Sequence, residues 1–312
     1  SAFDTICNDR IEDSMPKFTT KEGELRKPPN FINDIQNKMQ NFDDKTLQQP
    51  LQEKVKEFSV KYGFCNTIEK EDGKISYRWI SKSERSLEAE VLFKLSQSKS
   101  NEDADTAIND YEYRKNIQDQ LETGIKKTKS YDLLNPKNTQ NSQQGVTLKT
   151  LYEDGNAAAL NQFKDYLKND FNGKISAQEE QKSGQIWRLT PGNPEDKLIF
   201  DIHNANNFDD ATVAFDSYNK LKDFQKQLNQ EGIKYESLNE ASLTSLYEPE
   251  NAVGLQLFRE QIKTDFENPE KYDGKINDNV WTTTNENKWL FNLYTAKNAT
   301  EAQSALNSRS TT

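Results

Sequence analysis

Apolar and polar positions along the chain fall into a block that recurs. Between Leu198 and Leu228 it reads LIFDIHNANNFDDATVAFDSYNKLKDFQKQL. Aligned on Phe200, the same pattern of two apolar residues, Phe, a polar residue and an apolar one occurs at Phe93 in VLFKL and at Phe291 in WLFNL. Eleven residues after each Phe stands Ala104, Ala211 or Ala302. Three further on come Ala107, Ala214 and Ala305, followed at once by Ile108, Phe215 and Leu306. The short apolar run around each Phe predicts a buried strand. The positions that follow (Ala211, Ala214, Phe215, Tyr218, Leu221, Phe224 and Leu228) have the spacing of one helical face. The first copy offers Ala104, Ala107, Ile108, Tyr111, Ile117 and Leu121.

Each of these helices has a start signal. Ser100, Asn207 and Asn298 are residue types whose side chains accept hydrogen bonds from the free amides of a first helical turn. The acids three residues on, Asp103, Asp210 and Glu301, have capping-box spacing and suit the positive end of the helix dipole. Gly124 and Gly232 are expected to stop the first two helices. The third copy reaches Thr312 before its helix would match the others in length.

The repetition extends upstream. Leu148 to Phe171 and Leu243 to Phe266 share Leu-x-x-Leu-Tyr-Glu-x-x-Asn-Ala. Leu160, Phe163, Leu167 and Phe171 then match Leu255, Phe258, Ile262 and Phe266, again one helical face. Leu51, Val55, Phe58, Val60 and Phe64 form a weaker counterpart in the first copy. A tryptophan precedes each Phe: Trp79, Trp187 and Trp281. The fold expected is α+β, with three tandem repeats, each a small antiparallel sheet of two or three strands packed against helices.

Boundaries follow from these matches. Residues 1–45 form an N-terminal extension, with a short helix expected over Phe31 to Met39. The first repeat is 46–126. A polar linker with Pro136 and several Asn and Gln spans 127–146. The second repeat is 147–234, and the third, 235–312, has a truncated last helix.

Composition narrows the function classes. The 312 residues carry a formal net charge of −10, and no basic patch suited to a phosphate backbone is evident, so no nucleic-acid partner is expected. Apolar residues make up 33%, which suits several small units better than one large core. No apolar run reaches transmembrane length, and membrane insertion is not expected. No signal peptide is visible. Cys7 and Cys65 lack zinc-ligand spacing and read as free thiols of a reducing compartment, which points to the cytoplasm.

Candidate chemistry is sparse. Asp170, Asn172, Gly173, Ile175, Ser176 and Glu179 fall at calcium-loop positions three, five, six, eight, nine and twelve, yet position one is Lys168, whose charge repels a cation. A hairpin turn is the better reading, as it is for Asp72-Gly73 and Asp273-Gly274. His203 is the one histidine, near Asp201, Asp209 and Asp210, without a nucleophile in view. It is read as an exposed or cap-adjacent side chain. Glu179-Glu180 and Asp209-Asp210 are read as solvated turns and helix starts. No glycine-rich phosphate loop occurs. Neither catalytic residues nor a cofactor or metal site are assigned.

The three tryptophans are read as core packing, with an adenine-stacking platform backed by Tyr62 or Tyr77 as the alternative. Trp289 and Tyr294, found only in the third copy, are taken as an exposed contact surface. Tyr152 and Tyr247 are expected to fix the entry of the first helix of their copies. The Asn-, Gln- and Lys-rich composition, the acidic balance and the tandem α+β modules resemble the type IV effectors that Legionella and similar intracellular bacteria inject into host cells. That resemblance implies the host cytosol as setting and a host protein or a nucleotide as partner. A non-enzymatic protein-interaction module is therefore expected, with a nucleotide or small-ligand binding domain of a larger enzyme as the alternative.

Overall fold

The computed structural model describes residues 6–10, 18–20, 23–25, 65–69, 71–73, 75–79, 100–125, 131–138, 145–177 and 184–309, with individual positions between 54 and 98. Phe31 to Met39 and the side chains of Tyr77, Trp79 and Phe93 lie outside the described residues. The chain is a mixed α+β protein. It divides into two compact units, residues 12–167 and residues 1–11 with 168–312.

All sheets are small and antiparallel. β1 (Ile6–Arg10), β7 (Gly184–Arg188) and β6 (Lys174–Ala177) form a three-stranded sheet in that order. β2 (Phe18–Thr20) pairs with β3 (Gly23–Leu25), β4 (Cys65–Glu69) with β5 (Ile75–Trp79), and β8 (Lys275–Asn277) with β9 (Val280–Thr282). The helices with continuous bounds are α1 (Asn101–Gln120), α2 (Leu148–Leu151), α3 (Ala157–Asn169), α4 (Pro194–Asn204), α5 (Phe208–Glu231), α6 (Glu240–Leu246), α7 (Ala252–Glu267), α8 (Lys288–Thr295) and α9 (Ala299–Asn307).

The expected caps form in all three places. Ser100 accepts from the amide of Asp103, Asn207 from Asp210 and Asn298 from Glu301. Gly232 ends α5 at φ +69°, with its N–H on the carbonyl of Leu228. Gly124 does not stop α1; it lies in a π turn, Leu121–Ile125. The predicted faces are the buried ones: Ala211, Ala214, Phe215, Tyr218, Leu221 and Leu228 on α5, and Ala104, Tyr111, Ile117 and Leu121 in the first copy. On the preceding helices Phe163 and Leu167 are buried, as are Leu255, Phe258, Ile262 and Phe266. In the third copy Ala302 and Ala305 are buried, and α9 ends at Asn307.

The Phe-centred runs are helices, not strands. Phe200 lies in α4 and Phe291 in α8, and residues 88, 91, 94 and 95 of the first copy are helical too. A short apolar run is compatible with either state, and its flanks decide. Here Asn193 caps the helix through the amide of Asp196, Pro194 takes the first turn, and Glu195 and Asp196 follow at the positive end of the dipole. The third strand of the second copy's sheet is supplied by β1, far away in sequence.

One of the two expected Asp-Gly turns also differs from expectation. Asp72 and Gly73 do form the turn between β4 and β5, with Gly73 at φ +76°. Asp273-Gly274 instead enters β8. The hairpin itself turns at Asp278-Asn279, both at positive φ, as a two-residue turn requires. The segment read as a linker contains a 3-10 turn, Asp132–Leu134, with Tyr131, Leu134 and Asn135 buried.

In the unit holding residues 168–312, one core gathers Leu243, Leu255, Phe258, Ile262, Phe266, Trp289, Leu290 and Leu293. α5 packs on α7, where Gly254 lets a methyl of Leu221 come close; a Cβ there would stand 3.5 Å from it. In the unit 12–167, Phe58, Tyr62 and Tyr111 meet with ring centroids 4.6–5.3 Å apart. Phe200 sits edge-on to Trp187 with only 9% of its surface exposed. Phe200→Ala should cost about 3–5 kcal/mol in denaturant melts, and a loss below about 1 kcal/mol would show that it does not hold the core.

Candidate functional site

The tryptophan settings come first, because they held the ligand-binding alternative. Trp187 on β7 pairs in register with Ile175, and Trp281 on β9 with Ile276. Trp187 touches Phe171, Phe200 and His203, with centroids at 4.9, 6.0 and 4.7 Å. Trp281 meets Phe266, Phe291 and Tyr294 at 4.3, 5.7 and 4.7 Å. The glycine ahead of each hairpin makes room for the first of these rings. A Cβ on Gly173 would lie 2.0 Å from the carbonyl oxygen of Arg188 and 2.7 Å from Phe171, and one on Gly274 2.3 Å from Phe266. Trp187 is fully enclosed and offers no face to a planar ligand; Trp281 is half-buried. Lys168 lies over the Trp187 ring at 5.8 Å, a cation–π placement rather than a calcium position. Gly173 and Ile175 serve the entry and first strand of the hairpin, and Glu179 and Glu180 lie outside the described residues.

Trp289 corrects the expected contact surface. It is 4% exposed, edge-on to Tyr235 at 5.0 Å, and Arg309 lies over it at 5.7 Å. As part of α8, which is helical, it turns into the core instead of lying on an exposed strand face. Tyr294 is half-buried against Trp281. His203 occupies the last turn of α4 and packs on Trp187, so it is neither on a strand nor fully exposed.

The polar groups inside the fold are organised around helix ends. Asp196 is fully buried. Its two oxygens accept from the amides of Asn172 at 2.8 Å and Thr190 at 2.9 Å, tying the loops on either side of the hairpin to α4. Arg259, also buried, donates to the carbonyl of Ala296 at the end of α8, and Tyr247 donates to the same oxygen at 3.1 Å. Cation and hydroxyl together satisfy the negative end of that helix. Burial raises the Tyr247 phenol above its ordinary value, against the pull of Arg259. Tyr247 thus closes the end of α8 as well as marking the corner after α6; Tyr152 occupies the matching corner after α2.

A carboxylate–tyrosine–lysine brace occurs twice. Tyr111 donates to Glu88 at 3.2 Å, and Lys115 stands 3.9 Å from the same carboxylate. Tyr218 reaches Glu195 at 3.5 Å, and Lys222 donates to it at 2.8 Å. The sequence separation between Glu and Tyr is 23 in both, so the spacing was present in the sequence without being noticed. Tyrosine and lysine four apart suggest proton-transfer chemistry at first sight. Desolvation and Glu88, however, push the Tyr111 phenol well above its ordinary value, so it stays a hydrogen-bond donor. The brace ties a long helix to the start of the helix before it.

Asp265 centres the third set. It is 1% exposed and accepts from Tyr235 at 2.6 Å, Lys271 at 2.9 Å and Gln261 at 3.1 Å. Burial, then this hydrogen bond, raises the Tyr235 phenol. Tyr235 opens a 3-10 turn, Tyr235–Ser237, and the motif Tyr-acid-x-Leu-Asn recurs at Tyr131 before the turn Asp132–Leu134. Among the described residues no group of three or more His, Cys, Asp or Glu is placed to hold a metal ion. No described helix is long and apolar enough to cross a membrane. No family model, curated protein sequence or solved structure matches the chain.

Two outcomes follow. Asp196→Ala should destabilise the protein by about 1–3 kcal/mol, because two amides lose their buried acceptor, whereas Asp196→Asn keeps one acceptor oxygen and should cost less. Tyr235 has a folded-state pKa above its unfolded value of 10.0. Its contribution is therefore complete below pH 10 and declines as the pH rises past it. The stability gap between wild type and Tyr235→Phe should be constant from pH 7 to 9 and shrink above pH 10 in urea melts.

Proposed function

We propose that the chain is a protein-interaction module in which one helix–hairpin–helix unit is used three times, over residues 46–126, 147–234 and 235–312. The observation that carries this reading is the recurrence of the same scaffold contacts with their polar groups turned inward. Caps recur at Ser100, Asn207 and Asn298; indole sockets recur at Trp187 and Trp281; the brace recurs at Tyr111 and Tyr218. Among the described residues the buried carboxylates, Asp196 and Asp265, are engaged by main-chain amides, a phenol and an ammonium, and so serve the architecture.

What remains for a partner is the outside of the long helices. At their N-terminal ends Glu102, Asp103 and Asp105 on α1 and Asp209, Asp210 and Asp216 on α5 are exposed, and so are Tyr113 and Val213. An acidic surface dotted with single apolar side chains suits a basic protein face, and repeated units allow multivalent contact. With the effector resemblance, the partner is a host protein and the setting the host cytosol. The nucleotide alternative has less support, since Trp187 is enclosed and Trp281 is engaged by three rings.

The test is capture from host lysate with the full chain and with Val213→Glu and Tyr113→Glu surface variants. A partner retained by wild type, weakened at least several-fold by either variant and competed by salt is the expected result. Capture of nothing above background, together with a thermal shift on adding millimolar adenine nucleotide, would overturn it in favour of ligand binding.

A further inference from the structure

We infer that the outer edge of β9 is a strand-acceptor site for an extended segment of a partner protein. This rests on the reading of the chain as an interaction module. The hairpins of Trp187 and Trp281, both in the unit holding residues 168–312, differ in one respect. β7 is a central strand, with β6 on one side and β1 on the other; β9 pairs with β8 on one side, and no strand lies on the other among the described residues. Correspondingly, Trp187 is fully enclosed, Trp281 is half-buried, and Val280 beside it is 67% exposed.

Main-chain geometry identifies what the edge presents. Asn277 and Val280 flank the two-residue turn Asp278-Asn279 and form its closing hydrogen-bonded pair. The next pair, Ile276 and Trp281, is then of the non-hydrogen-bonded kind, so the N–H and C=O of Trp281 point away from β8. The strand added to β7 is in register at the matching residue, Cys7 opposite Trp187. An unpaired donor and acceptor beside exposed apolar surface is the arrangement that strand addition uses.

The chain also shows which segments suit such a tryptophan. Cys7-Asn8 in β1 and Cys65-Asn66 in β4 both set the cysteine opposite a tryptophan, Trp187 and Trp79, while Ile175 and Ile276 hold that register in the other strands. The occupant is therefore an extended segment with a small or β-branched apolar residue in register with Trp281 and polar residues on either side.

The probe is a peptide of residues 1–13, added to the full chain while amide exchange is followed by NMR. Without peptide, the Trp281 amide should exchange at least about tenfold faster than that of Trp187. Millimolar peptide should slow Trp281 exchange several-fold. The same peptide with Cys7→Pro should not, and Val280→Asp in the protein should abolish the effect. Unchanged Trp281 exchange, or equal slowing by the proline peptide, overturns the site. Slowing of Trp281 that grows with protein concentration alone would assign the edge to a second copy and overturn a partner segment as occupant. A partner captured from lysate with undiminished yield by Val280→Asp would remove this edge from the interaction while leaving the module reading intact.

Discussion

An indole needs a place to go, and in this chain that need shapes the local architecture. Trp187 and Trp281 sit on short antiparallel hairpins, and a two-stranded hairpin is marginally stable at best alone in water. Each indole is met by an aromatic from the end of the preceding helix, Phe171 or Phe266, and by one from the following helix, Phe200 or Phe291. A side chain of this size buries roughly 150–250 Å². The hairpin is thereby clamped between two helices, and the glycine ahead of it is demanded by what crosses there, the Arg188 carbonyl and the Phe171 ring at Gly173 and the Phe266 ring at Gly274. The long helix then starts on a cap that needs no tertiary help.

A chain only 33% apolar cannot fill large cores, and its interior polar groups compensate by closing the joints. Asp196 holds two loop amides, Arg259 and Tyr247 close the end of α8, and Asp265 gathers a phenol, an ammonium and an amide. Each carboxylate or cation would be costly if left unpaired at its level of burial. Their engagement gives these buried ionisable residues a structural role at the joints of the fold. The exposed brace members are worth less: with Lys222 and Glu195 partly in solvent, their ion pair contributes about 0–1 kcal/mol and chiefly sets an angle.

What the sequence disclosed was local. Helix caps depend on residues three apart, and all three were readable from Ser100, Asn207 and Asn298. Helical faces were readable because a long helix samples its own periodicity several times. The runs around Phe200 and Phe291 fit a strand as well as a helix because five apolar-rich residues do not sample any period well. Asn193-Pro194-Glu195-Asp196 carries the deciding information, being a helix start in both cap and charge. Trp289 is buried for the same reason, since it lies on a helix and not on a strand. Contacts distant in sequence were not legible at all: β1 reaches β7, and Tyr235 reaches Asp265, through pairings that no local pattern encodes. The Glu–Tyr–Lys spacing was legible in principle, since it recurs unchanged, but polar residues at partly exposed helix positions look like ordinary solvated surface until their partners are known.

Gly-Lys-Ile shows why equivalence has to be judged on settings instead of letters. The tripeptide begins at Gly73, Gly173 and Gly274. At Gly173 and Gly274 it opens the first hairpin strand, and the glycine is needed for the missing Cβ, because the Arg188 carbonyl and the Phe171 ring take that space at Gly173 and the Phe266 ring takes it at Gly274. At Gly73 it lies between the two strands, nothing approaches within 4 Å of a Cβ, and the glycine is needed for its φ of +76°. Identical residues thus answer two different constraints, one steric and one conformational. Conversely Asp196 and Asn287, unlike in charge, each stand four residues before the Phe of their helix, Asp196 within its first turn and Asn287 at its cap, and each accepts from backbone amides nearby, Thr190 and Asn172 in one case, Thr284 in the other. What these settings share is the demand each position meets for the indole and for the helix end, and the residue types vary wherever more than one side chain can meet it.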